Sequence, residues 1–137
     1  MDKLLHFDSP QEVYTADACV ITCFDARFDL AVRKFLKRTG ILTFDHVKIA
    51  GSAKSLAAPD CDADREFVLR MVGISRRLHG SRRTLIVGHN DCGAYPGIPA
   101  EQITRDVLRA AEILRAREPS MSVECYFADF DGIYRVA

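Results

Sequence analysis

The sequence predicts an α/β fold: a mostly parallel β-sheet flanked by helices, in a single domain over residues 1–137. Three observations predict it. Short, apolar, β-branched runs alternate with longer amphipathic stretches, the order of strand–helix–strand units. The strand-like runs lack polar alternation, which suits strands buried on both faces. The 137 residues are 48% hydrophobic and 28% charged, enough chain of ordinary composition to bury one core without disulfide staples.

The elements follow in order. Cys19-Val20-Ile21-Thr22-Cys23 is a short buried strand. After it, Phe28, Ala31, Val32, Phe35 and Leu36 fall at i, i+3, i+4, i+7 and i+8, one stripe of a helix that Gly40 closes as a left-handed cap. His46 to Ala50 reads as a second, shorter strand, and Gly51 through Pro59 as loop. A long helix starts near Asp62 and Asp64, whose charges suit a helix N-terminus. It carries Phe67, Met71, Ile74 and Leu78 on its inward face and ends with Arg76 and Arg77 before Gly80. Thr84 to Gly88 is the clearest strand. Pro99 fits the first turn of a third helix, with Ile103, Val107, Ala110, Ala111 and Leu114 facing inward. Val123 to Phe130 makes a last strand, with Asp131-Gly132 as its turn.

Composition excludes several classes of function. The 19 basic and 19 acidic residues cancel, which removes any global drive toward nucleic acid or an anionic membrane. No apolar run approaches the ~20 residues of a membrane span. The stretch Met1-Asp2-Lys3-Leu4-Leu5-His6-Phe7-Asp8 breaks too early for a signal peptide, so a cytoplasmic location is the expectation. Five cysteines, Cys19, Cys23, Cys61, Cys92 and Cys125, are odd in number and widely spaced. They read as metal ligands or core residues rather than a disulfide framework.

In parallel sheets ligands bind beyond the carboxyl ends of strands, where strand order reverses. The first strand ends in Cys23-Phe24-Asp25-Ala26-Arg27, and the clearest one in Gly88-His89-Asn90-Asp91-Cys92-Gly93. Cys23, His89 and Cys92 form a Cys₂His set that suits Zn²⁺ and leaves a fourth tetrahedral position. Two thiolates and a neutral imidazole cancel the charge of the ion. Asp25 adds one negative charge, and Arg27, whose fork matches a carboxylate, cancels it. Asp25 then either accepts a hydrogen bond from metal-bound water or binds the metal and shuts the site. Cys19 stands four strand residues from Cys23, about 13 Å, and cannot share the ion. Cys125 reads as core, and Cys61 opens a helix. His6, His46 and His79 have no ligand-spaced companions. Arg76, Arg77, Arg82 and Arg83 read as a solvated helix cap.

Cys-x-Asp-x-Arg after one strand and His-x-x-Cys after a later one resemble the active site of the β-class carbonic anhydrases. The likeness covers Val20 to Ala94 and is matched loosely by Lys48-Ile49-Ala50-Gly51-Ser52, where the family has Arg-Asn-Ala-Gly. It implies Cys23, His89 and Cys92 as zinc ligands and Asp25 and Arg27 as catalytic dyad. It also implies a sheet of order 2-1-3-4, a homodimer, and reversible hydration of CO₂ to bicarbonate by a zinc-bound hydroxide. The family's pocket glutamine and aromatic residues have no counterpart that the sequence places. Two other readings therefore stand beside the lyase: a non-catalytic zinc protein closed by Asp25, and a zinc hydrolase acting on a CO₂ analogue such as COS or CS₂.

Overall fold

The structure, a computed structural model, describes residues 1–137. Strands β1 (Ala18–Thr22), β2 (Phe44–Lys48), β3 (Arg83–His89), β4 (Ser122–Asp129) and β5 (Gly132–Arg135) form one sheet in the order β2-β1-β3-β4-β5. The first four run parallel, and β5 turns back antiparallel on β4. Helices α1 (Ala26–Arg38), α2 (Lys54–Ala57), α3 (Asp62–His79) and α4 (Ala100–Arg117) connect them.

Alternate side chains of the strands feed two cores. Ala18 and Val20 of β1, Leu85 and Val87 of β3, and Tyr126 and Ala128 of β4 pack against Phe28, Val32 and Leu36 of α1. Cys19, Ile21, Ile86 and Cys125 point the other way, onto Leu56 of α2, Val68, Leu69 and Val72 of α3, and Val107, Ala110, Ala111 and Leu114 of α4. All five residues of β1 are buried, as expected of a central strand with helices above and below. Consecutive crossovers leave β1 toward β2 and return beyond β1 to β3. The carboxyl ends of β1 and β3 therefore flank the point where strand order reverses.

Four elements depart from the sequence reading. The second strand lies two residues earlier than His46 to Ala50, because Phe44 and Asp45 pair with Ala18 and Cys19. The expected loop from Gly51 to Pro59 contains the single turn α2, which seats the fully buried Leu56. α3 turns Val68, Leu69, Val72 and Ser75 inward, whereas Phe67 is 45% and Leu78 65% exposed. That helix carries two neighbouring apolar stripes, and the one with smaller side chains lies against the sheet. The Asp131-Gly132 turn leads into a fifth strand rather than ending the sheet. Single positions also shift, since Ala31 of the expected α1 stripe is exposed and Pro99 caps α4 instead of lying in its first turn. Gly40 and Gly80 have positive φ at the ends of α1 and α3, and the five inward residues predicted for α4 are all buried.

Candidate metal centre

β1 delivers Cys23 one residue past its end, and β3 ends on His89. Across the reversal point the sulfurs of Cys23 and Cys92 stand 3.9 Å apart, and one ligand atom from each of Cys23, His89 and Cys92 falls within 4.8 Å of the others. Bonds of about 2.3 Å at the tetrahedral angle separate two zinc-bound sulfurs by about 3.8 Å. The Cys₂His set read from the sequence is thus brought together with the spacing such an ion needs.

Local chemistry prepares each group. His89 is 4% exposed and packs on Phe28, with ring centroids 4.5 Å apart. Its Nδ1 meets the Asn90 carbonyl at 2.7 Å, an acceptor that assigns the proton to Nδ1. Nε2 is left buried with no hydrogen-bond partner. A buried ring nitrogen with a free lone pair beside two thiols is a ligand position, and the bond at Nδ1 is the kind of outer contact that orients such ligands.

Cys23 accepts the Gly51 N–H at 3.4 Å. Burial pushes the Cys23 thiol up, but the His89 imidazole and the N–H groups of Gly51 and Asp25 outweigh it and bring it down to about 7. A thiol lowered in this way gives up its proton to a cation more readily than an ordinary one. Burial, together with the neighbouring Cys23, raises Cys92. Cys19 is pushed up to about 12 and Cys125 is also raised, both by burial, which matches their place in the core.

The carboxylate and guanidinium are built on the start of α1. Asp25 is its N-cap, accepting the Arg27 N–H on Oδ1 at 3.0 Å. Arg27 Nε donates to Oδ1 at 3.0 Å and Nη2 to Oδ2 at 2.7 Å. This grip holds the Asp25 carboxyl at about 2, so it is ionised throughout the physiological range.

The remaining polar candidates lie elsewhere. His46 Nε2 sits 2.7 Å from Thr22 Oγ1, and His79 Nδ1 is 2.9 Å from Asp45. Arg76 pairs with Glu118 and Arg83 with Glu124, while Arg77 and Arg82 make no ion pair and are left on the surface. The sequence reading missed Gly51, Asn90, Asp91 and Phe28 as parts of the site. Asn90 and Asp91 stand inside the His-x-x-Cys motif, the only signal that could have drawn attention to them.

Fold and site together define a carbonic-anhydrase-like α/β protein. A family model described as "Putative carbonic anhydrase" matches residues 14–136, and the chain belongs to that family. Among solved structures, a carbonic anhydrase from Glaciozyma antarctica superposes with a TM-score of 0.67 at 16% identity, covering 92% of this chain and 85% of that one. The apo form of a carbon disulfide hydrolase gives 0.58 at 15% identity, covering 89% and 80%. An uncharacterized protein of Rickettsia bellii is 23% identical over 130 residues, covering 86% of this chain and 79% of that one. No helix is long and apolar enough to cross a membrane.

Proposed function

We propose that the chain is a zinc-dependent lyase of the carbonic anhydrase type, interconverting CO₂ and bicarbonate. Cys23, His89 and Cys92 would hold the ion, with Asp25 and Arg27 as catalytic residues. On the family resemblance the proposal includes a homodimer, and the cytoplasmic location expected from the sequence is proposed with it. The observation that carries the lyase reading is the grip of Arg27 on both oxygens of Asp25. A carboxylate held in this way is kept from the ion, which favours an open fourth position over the closed, non-catalytic alternative.

Zinc, when bound, would supply a Lewis acid that activates water near neutral pH. The chain's residues supply the rest. Cys23, whose thiol is lowered, would offer its sulfur, and His89 would offer Nε2. Asp25, held at about 2, is too weak a base to keep a proton at neutral pH. Its role is to accept a hydrogen bond and orient the donor, and Arg27 keeps its oxygens aimed. A cavity of about 10 Å³, room for one water-sized molecule, adjoins Cys23 and His89 and is lined by Phe28, Val32, Val87 and Ala128.

The test has two parts. Purified protein should carry about one zinc per chain, and Cys92→Ser should lose most of it, with a loss of stability, because binding and folding are coupled. Full zinc content in that variant would remove the ligand assignment. Zinc-loaded wild type should then hydrate CO₂ in stopped flow across about pH 6 to 9, with Asp25→Asn losing most of the rate while keeping its metal. A loaded wild type no faster than buffer would leave a metal protein without this activity.

A further inference from the structure

Only one edge of Arg27 is used by Asp25. On the other, Nη1 donates to Asp91 Oδ2 at 2.9 Å and Nη2 to the Asp91 carbonyl at 2.9 Å. Asp25 follows Cys23 by two residues on the loop after β1, and Asp91 immediately precedes Cys92 on the loop after β3. One guanidinium therefore joins the two loops that carry the candidate ligands.

Asp91 is held in a conformation that side chains rarely adopt. Its φ of +51° lies in the left-handed region, shared among non-glycine residues only with Ser52. Asn90 Oδ1 accepts the Asp91 N–H at 2.8 Å, and Asn90 Nδ2 donates to Asp129 Oδ1 at 3.0 Å. The Asn90 N–H also donates to the Ala128 carbonyl at 2.9 Å, so the turn is pinned to the end of β4. Burial does not explain this aspartate, because its side chain is 71% exposed. Its contact with Arg27 does. The guanidinium is steadied further by the rings of Phe28 and Phe130, 5.8 and 5.5 Å from Cζ.

We propose that Asp91 is a positioning residue that anchors the outer edge of Arg27, so that the inner edge stays on Asp25 and the carboxylate is kept off the candidate metal position. The last clause rests on the lyase reading, and the anchoring does not. Without the Asp91 carboxylate, Arg27 retains only the Asp91 carbonyl on that loop and gains freedom to turn. A released Asp25 beside two sulfurs and an imidazole is a ready fourth ligand.

Three variants test it. Asp91→Gly removes the carboxylate while suiting the left-handed backbone, so a loss of fold does not mask the result. Asp91→Asn keeps an acceptor for Nη1 and also tolerates that backbone. Arg27→Ala is the reference for a released Asp25. In metal-free protein, ¹⁵N spectra should show the Arg27 Nε–H exchanging with water about threefold to fivefold faster in Asp91→Gly, the scale of one half-exposed ion pair, and near wild type in Asp91→Asn. In cobalt(II)-loaded protein, added thiocyanate should shift the visible absorption of wild type and Asp91→Asn. It should leave Asp91→Gly unchanged, as in Arg27→Ala. An unchanged exchange rate in Asp91→Gly, or a thiocyanate shift in cobalt-loaded Asp91→Gly equal to that of wild type, overturns the proposal. Wild type that takes up no cobalt overturns the metal reading and the last clause with it, while exchange still decides the anchoring.

Discussion

Gly51 shows how much of this site depends on a single backbone position. Its N–H reaches Cys23 Sγ because φ is +78°, and a Cβ there would meet Lys54 Cβ at 2.9 Å and Ala94 Cβ at 3.0 Å. Gly51→Ala combines left-handed strain with overpacking, at a cost of about 2–4 kcal/mol. Urea unfolding should report that loss, and thiol titration should find Cys23 moved up as the N–H is displaced. At this scale the candidate ligands and the Asp25–Arg27 ion pair were legible in the sequence, since Cys23 to Arg27 and His89 to Cys92 are compact motifs at strand ends. The supporting groups were not. Gly51 acts through a main-chain N–H on Cys23, and Asn90 and Asp91 through side-chain bonds to Asp129 and Arg27, partners far off in the chain that local spacing does not reveal.

β3 and α4 approach one another closely near the site. A Cβ on Gly88 would lie 2.9 Å from both Ile103 Cγ2 and Val107 Cγ2, on the helix that covers the strand next to His89. Gly88→Ala must push α4 outward and should cost about 1–3 kcal/mol, read as a lower urea midpoint with an unchanged slope. Gly93→Ala meets nothing within 4 Å and should stay within about 0.5 kcal/mol of wild type. Periodicity exposed most of the elements, because buried strands and one-sided helices leave strong patterns. It failed where patterns compete or run short. α3 offers two apolar stripes, and only the packed sheet selects between them. The four residues of α2 and the four of β5 are too few to show a period.

For the molecule as a whole, acid should act in two stages. His46, half-buried on β2, is held down to about 4, chiefly by burial and then by Lys48. The unfolded chain takes up this proton near pH 6.5 and the folded protein only near pH 4, so stability is full above about 6.5 and falls as pH drops toward 4. The lowered carboxylates, among them Asp17, Asp29, Glu66 and Glu124, add losses below their unfolded values near 4. His46→Gln should flatten the first stage and leave the second, in urea midpoints measured across pH. The parallel topology also orders events in time. β1 reaches β2 through a short crossover, but 69 positions separate Cys23 from Cys92, and β1 meets β3 across a connection that carries α3. Closing so long a loop is entropically slow and depends on the sheet already growing in register. An ion reaching the nascent chain finds scattered single donors, and three converge only once the central strand pair is complete. On the proposed zinc reading, metal capture closes the folding sequence, and its rate would report the docking of β3 on β1.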